Sequence, residues 1–189
     1  MSKQKVFAFA LVVLLGTLAV GGTSAYFTSS SIAHNIITTG GVTIELIEDT
    51  DEIGEDGRPV PFINIEDAMP GDRISKMPKI KNVDSGEIYV RMRVMPRVEY
   101  PNGRVDKMTF SAFSPDISRS WSPKDGYYYF TRPLASGETT NALFTTLTIP
   151  KYLDEDQEGA KYIIKIKGEA VQRANNGETV FDAQGWPGV

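Results

Sequence analysis

A strict alternation of apolar and polar side chains in the middle of the chain is the feature that most restricts its fold. Ile88, Val90, Met92 and Val94 are separated by single tyrosine and arginine residues. Successive side chains of a β-strand point to opposite faces, so this period of two places the apolar set on one face. The segment predicts a central strand of a sheet, with one face buried and the other bearing two arginines.

Similar short segments recur along the chain and are separated by turn-forming residues. Stretches at 42–47, 127–130 and 162–172 have the alternation or aromatic content of strands, and Asp125-Gly126 is a strong turn dipeptide. Only residues 105–118 have apolar positions spaced nearly as in a helix, which predicts a short helix or an irregular crossover. We therefore expect an all-β domain: a two-sheet antiparallel sandwich of jelly-roll type with one or two short helices.

The first 25 residues have the layout of an export signal. Two lysines precede a predominantly apolar run at 6–20, and Thr23 and Ala25 occupy the small-residue positions before a cleavage point. A membrane-spanning helix needs roughly 20 apolar residues, so the run is short for a permanent anchor, although a retained anchor is the alternative. We expect a signal peptide that is cleaved between Ala25 and Tyr26.

The mature chain then begins with an unusual segment, residues 26–40, which is uncharged and rich in serine, threonine and isoleucine. A free terminus is normally polar and solvated unless it is tied down. Two interpretations are open: an edge strand on its own domain, or a donor strand that leaves its domain and completes the sheet of the next subunit. In the second case, we expect Phe27, Ile32, Ile36 and Ile37 to fit the acceptor groove.

Composition limits the partners of the remaining domain, residues 41–189. Without the two leader lysines, the mature chain has 18 basic and 24 acidic residues and a net charge of −6. An acidic surface repels phosphate backbones, so nucleic acid is not an expected partner. The chain has no cysteine, which excludes disulfides and thiolate metal sites and leaves the fold dependent on its core or on neighbouring copies.

Residues with catalytic or metal-binding chemistry do not form a recognisable set. The only histidine is His34, whereas a zinc protease of the His-Glu-x-x-His kind needs two histidines at helical spacing. The sequence contains neither a Gly-x-Ser-x-Gly elbow nor a glycine-rich phosphate loop. The acidic stretch at 48–57 departs from a calcium loop at Ile53 and Val60, so we expect a solvated hairpin loop there. We predict no enzyme activity, cofactor or metal site.

The C-terminal tail, residues 173–189, contains one very large apolar side chain. Trp186 lies close to the end of the chain. A tryptophan exposed at a free end lowers solubility, so we expect it to fold back onto the domain.

Several blocks of the sequence resemble one family in their order and spacing. They are Gly-Thr-Ser-Ala-Tyr-Phe-Thr at 22–28, Met-Pro-Gly-Asp at 69–72, Lys-Ile-Lys-Asn at 79–82, Ile-Tyr-Val-Arg at 88–91, and Asp-Gly-Tyr-Tyr-Tyr-Phe at 125–130. Together they resemble the TasA and camelysin family of exported biofilm-matrix and surface proteins. The resemblance covers roughly the whole mature chain, and its blocks are scaffold positions rather than catalytic ones.

This resemblance implies a fold, a partner and a function. It implies a jelly roll, removal of the leader by a signal peptidase of the SipW type, and secretion to the extracellular matrix or cell surface. It favours a structural subunit that polymerises with copies of itself into fibres, held together by donor-strand complementation through the mature N-terminal segment. The alternatives are a cell-surface metalloprotease of the camelysin type, and a monomeric adhesin or a fibre-anchoring accessory protein.

Overall fold

The computed structural model describes residues 26–27, 34–39, 41–63, 68–151 and 159–187. Within these ranges the chain is nearly all β, with twelve strands and a single 3-10 helix at Phe110–Phe113. The strands are β1 (Tyr26–Phe27), β2 (His34–Thr39), β3 (Val42–Ile53), β4 (Pro59–Pro61), β5 (Arg73–Ser75), β6 (Met77–Asn82), β7 (Ile88–Glu99), β8 (Val105–Lys107), β9 (Trp121–Lys124), β10 (Tyr127–Phe130), β11 (Thr146–Thr148) and β12 (Lys161–Gln172). No helix in these ranges is long and apolar enough to cross a membrane.

The largest sheet, sheet A, is built around β7. Its strand order is β1-β12-β7-β10-β9, and β8 also pairs with β7. β7 and β12 pair antiparallel over their whole length, from Ile88 opposite Gln172 to Glu99 opposite Lys161. The prediction of a central strand at 88–95 is therefore confirmed.

Two smaller sheets complete the fold. In sheet B, β3 pairs antiparallel with β2, β4 and β6, and the third sheet consists of β5 and β11. All strand pairs in the described ranges are antiparallel except β1 with β12. The all-β prediction is confirmed at this level.

One hydrophobic core joins the inner faces of sheets A and B. Ile44 and Ile80 of sheet B and Met92 of sheet A are fully buried in this core. At Gly168 of β12 a Cβ atom would stand 3.3 Å from Cδ1 of Ile80 and 3.4 Å from Cδ1 of Ile44. The absence of a side chain at this position lets the two sheets approach closely.

The outer face of sheet A is partly covered by the C-terminal tail. Val180 and Ala183 of the tail form a second buried cluster with Tyr89, Tyr129 and Val171 of the sheet, and Trp186 packs against it. The expectation that Trp186 folds back is confirmed. The tail covers Tyr89, which lies on the polar side of the alternation in β7 and is only 1% exposed.

The acidic stretch differs from the prediction of a solvated loop at 48–57. The alternation of β3 continues through Glu48, and the strand reaches Ile53 before a tight turn that hydrogen-bonds Gly54 with Arg58. Glu48 is 0% exposed. It lies on the core face because it follows Val42, Ile44 and Leu46 at a period of two. The helical spacing at 105–118 produces only the short 3-10 helix.

Candidate functional site

The candidate site is the pairing of the N-terminal segment with the rest of the chain. We call residues 26–39 the N-terminal ribbon; the structure describes its two ends. At its first end, β1 pairs parallel with the beginning of β12, with Tyr26 opposite Lys161 and Phe27 opposite Tyr162. The ribbon thus supplies an edge strand to sheet A.

The second end of the ribbon supplies an edge strand to sheet B. β2 pairs antiparallel with β3 from His34 opposite Ile47 to Thr39 opposite Val42. Within this pair, Ile36 stands opposite Glu45 and Ile37 opposite Ile44. One continuous segment therefore contributes backbone to two sheets that share a core.

The connection between the ribbon and the domain is very short. Only Gly40 and Gly41 separate β2 from β3 in the sequence, and Gly41 has a φ of +85°. A Cβ atom built on Gly41 would have no atom within 4 Å, because the residue borders an open cleft of about 670 Å³. At Gly41 the backbone therefore meets little steric resistance to a change of direction.

β12 is much longer than β1. β7 pairs with all of β12 on one side, and β1 pairs with Lys161 and Tyr162 at its beginning. Ile164 and Ala170 farther along β12 are 0% exposed, so the inner face of the strand is buried.

The residues predicted for cleavage and polymerisation fall into two groups. Thr23, Ala25 and Ile32 lie outside the described residues. Tyr26 and Phe27 lie in β1, and Ile36 and Ile37 lie in β2, so the structure places these four on the two edges that the ribbon pairs with.

The residues considered for metal chemistry are not grouped together. His34 is in β2, opposite Ile47. Across the ranges that the structure describes, no group of three or more histidine, cysteine, aspartate or glutamate residues could hold a metal ion.

Sequence reasoning missed a buried ion pair beneath sheet B. Lys76 Nζ lies 2.9 Å from Glu48 Oε1, both side chains are at most 1% exposed, and the Phe62 ring centroid is 3.9 Å from the same Nζ. Burial raises the pKa of Glu48 and lowers the pKa of Lys76, while their mutual attraction opposes both shifts. The period of two in β3 was the available signal for the burial of Glu48.

A second buried ion pair lies under the C-terminal tail. Arg91 Nε donates to Glu169 Oε2 at 2.7 Å, and Arg91 Nη1 donates to the Tyr129 hydroxyl at 3.0 Å. The Arg91 guanidinium carbon lies 3.8 Å from the Tyr127 ring centroid and 4.4 Å from that of Trp186. These contacts fix the tail to the outer face of sheet A.

Comparisons with known proteins add no relative. No family model, no curated protein and no solved structure matches the chain.

Proposed function

We propose that this chain is a secreted structural subunit, a jelly-roll sandwich that polymerises into extracellular surface or biofilm-matrix fibres by exchanging its N-terminal ribbon between copies. The observation that carries the proposal is the pairing of the ribbon with β12 and β3, two strands that share one core, with only Gly40 and Gly41 between β2 and β3 in the sequence. The resemblance to the TasA and camelysin family supports the same function.

The pairing within one chain and the pairing between chains use the same contacts. A ribbon that leaves its own domain exposes the edges of β3 and β12, and an identical ribbon from a neighbour restores every strand pair. The two states therefore differ mainly in backbone conformation at Gly41 and in the entropy of association. A high local concentration of secreted chains favours exchange, because pairing within a chain competes only through its effective concentration.

Exchange of this kind propagates into a filament. The donor surface, the ribbon, and the acceptor surface, the vacated edges, are different parts of the molecule, so the contact is heterologous. Heterologous contacts that do not close into a ring form open filaments. Main-chain hydrogen bonds supply affinity, and the apolar side chains of the ribbon, among them Phe27, Ile32, Ile36 and Ile37, supply fit.

Export sets the moment at which exchange begins. In this proposal a signal peptidase of the SipW type removes residues 1–25 after Ala25 and frees the ribbon at Tyr26. Until then, the leader holds the ribbon near the membrane and restricts its access to other copies. A fibre-anchoring or accessory protein fits the scheme as the partner that accepts the first ribbon or donates the last.

A monomeric adhesin or accessory protein is the second candidate. The observation that favours it is the ribbon's pairing with its own domain in a single chain. In that case the two glycines serve only as a hairpin turn. The two candidates predict opposite results in a cross-linking experiment.

The test uses a cysteine pair across β2 and β3. Thr38 and Thr43 are opposite each other, and the natural chain has no cysteine, so Thr38→Cys/Thr43→Cys introduces one defined disulfide. We expect oxidation of assembled mature protein to give a ladder of covalent multimers on a non-reducing gel. A single monomer band from a sample that contains filaments would contradict strand exchange.

The matched control joins two strands that exchange leaves within one chain. Glu45 of β3 is opposite Lys81 of β6, and both belong to the domain beyond Gly41. Oxidised Glu45→Cys/Lys81→Cys protein should therefore run as a monomer in the same filament preparation.

A further inference from the structure

The uncovered half of the outer face of sheet A collects basic side chains. Strand register places them in adjacent rows, with Lys167 opposite Arg93, Lys165 opposite Met95, and Arg97 opposite Lys107. We call this surface the basic face; it consists of Arg93, Arg97, Lys107, Lys161, Lys165 and Lys167. Two acidic residues share these outward rows: Glu99, and the buried Glu169 beside Lys167.

This segregation of charge works against the stability of the sheet. Arg93 and Lys167 form one directly opposed like-charge pair, and Arg97 and Lys107 form another. Opposed like charges destabilise a sheet. A strongly basic face is also unexpected on a mature chain with 18 basic and 24 acidic residues.

Only two of these six cations have an acidic partner among the described residues. Arg97 pairs with Glu99 at 3.0 Å, and Lys167 pairs with Glu169 at 2.8 Å. Within the described part of the chain, no carboxylate lies at ion-pair distance from the other four, which are all exposed. These four cations have no described carboxylate that an external anionic group would have to displace.

The same chain carries a complementary element on another sheet. The hairpin between β3 and β4 exposes Asp51, Glu52, Glu55 and Asp56, with Arg58 as its one cation. We call residues 51–58 the acidic hairpin. At its centre Ile53 is 64% exposed, and at the edge of the basic face Val105 is 53% exposed. Each surface thus has an exposed apolar residue beside charges that are predominantly of one sign.

The two surfaces belong to different copies when they meet. The acidic hairpin extends from sheet B, whereas the basic face is the side of sheet A that points away from the core shared with sheet B. A long polyanion bound to the basic face would be repelled by the acidic remainder of the protein surface. The tip of a hairpin is small enough to contact the basic face alone.

We propose that the acidic hairpin of one copy docks on the basic face of another copy. The inference rests on the proposed assembly of copies and adds a second, charge-directed contact to strand exchange. Because the hairpin and the face are different surfaces, this contact is also heterologous, and it extends an assembly when it does not close into a ring.

Charge reversal on each surface tests the inference. Lys107→Glu/Lys165→Glu introduces no new like-charge opposition, since Lys107 is opposite Arg97 and Lys165 is opposite Met95. Glu52→Lys/Glu55→Lys reverses the hairpin and leaves the Asp56 carboxylate that accepts from the Arg58 N–H. We expect either variant alone to need about tenfold more protein for half-maximal light scattering at low salt. Roughly 0.5 M salt should remove the difference.

Mixing the two variants should recover association between unlike copies, because the unchanged hairpin of the face variant then meets the unchanged face of the hairpin variant. Arg119→Glu/Lys151→Glu changes the net charge equally at exposed positions elsewhere and should not reduce association. A mixture that does not recover would overturn the inference. The inference would also be overturned if Lys107→Glu/Lys165→Glu weakened the binding of long-chain polyphosphate but left association unchanged.

The cysteine pair at 38 and 43 separates this result from strand exchange. If the charge variants still give a covalent ladder and associate as the wild type does, the result supports strand exchange and contradicts the hairpin contact. Charge-dependent association without a ladder supports the hairpin contact and removes strand exchange.

Discussion

Glu48 shows how the alternation of side chains along a strand decides whether a charged group is buried or exposed. Glu48 occupies the fourth inward position of β3, after Val42, Ile44 and Leu46, so its carboxylate enters the core rather than the solvent. Lys76 meets it from the link between β5 and β6. Each charge is held in the core mainly by the other.

Breaking this pair on one side should be far more harmful than replacing both members. We expect Lys76→Met alone to reduce the free energy of unfolding by about 3–5 kcal/mol, because it leaves the Glu48 carboxyl in an apolar site. The double variant Glu48→Leu/Lys76→Met should be close to wild type or more stable. Urea unfolding followed by circular dichroism measures both. An unchanged midpoint for Lys76→Met would show that the pair is solvated.

The sequence contained part of this result. The alternation that predicts a strand at 42–47 continues to Glu48, but a run of acids is usually solvated, and that general rule gave the wrong environment for Glu48. The partner could not be predicted from the sequence, because the contact between Glu48 and Lys76 depends on how β3 and the link before β6 come together.

At the scale of elements, local turn chemistry was the most reliable guide. Asp125 and Gly126 connect β9 to β10 with φ values of +51° and +78°. Two positive φ values in a two-residue loop match the hairpin turn that an Asp-Gly dipeptide favours. The central position of β7 followed equally from its alternation. In contrast, the sequence did not reveal that the tail would bury Arg91, because an alternating strand leaves its second face unassigned.

The C-terminal tail should stabilise sheet A through Trp186. The indole packs on Arg91 and against Tyr129, and its Nε1 donates to the Ala183 carbonyl at 3.0 Å. We expect Trp186→Ala to cost about 1–2 kcal/mol, since a half-buried ring and a cation–π contact are lost. A fall in Tm of about 2–8 °C by calorimetry corresponds to that loss.

A matched variant separates this contact from a general effect of the tail. Glu178 is exposed in the same segment, so Glu178→Ala should leave Tm within about 1 °C of wild type. Equal Tm values for the Trp186 and Glu178 variants would show that the tail does not support the sheet.

At the scale of the whole molecule, the sequence predicted the class of fold but not the arrangement of the sheets. Alternation and turns were sufficient for an all-β chain, because both depend on local residues. The distribution of strands between sheets and the pairing of β1 with β12 depend on contacts between segments that are far apart in the sequence. A single sequence does not show which distant strands pair or in which register. The sequence left open whether the ribbon is an edge strand or a donor, since both use the same backbone pairs.

The most direct measurement of the central claim mixes two single-cysteine variants. Thr38→Cys chains and Thr43→Cys chains each contain one cysteine, so a bond between positions 38 and 43 can form only between different molecules. We predict that oxidised mixed filaments yield the disulfide-linked peptide pair by mass spectrometry, in proportion to the filament content. Filaments that lack this linked pair, while the double variant cross-links within one chain, would contradict the exchange of the N-terminal ribbon.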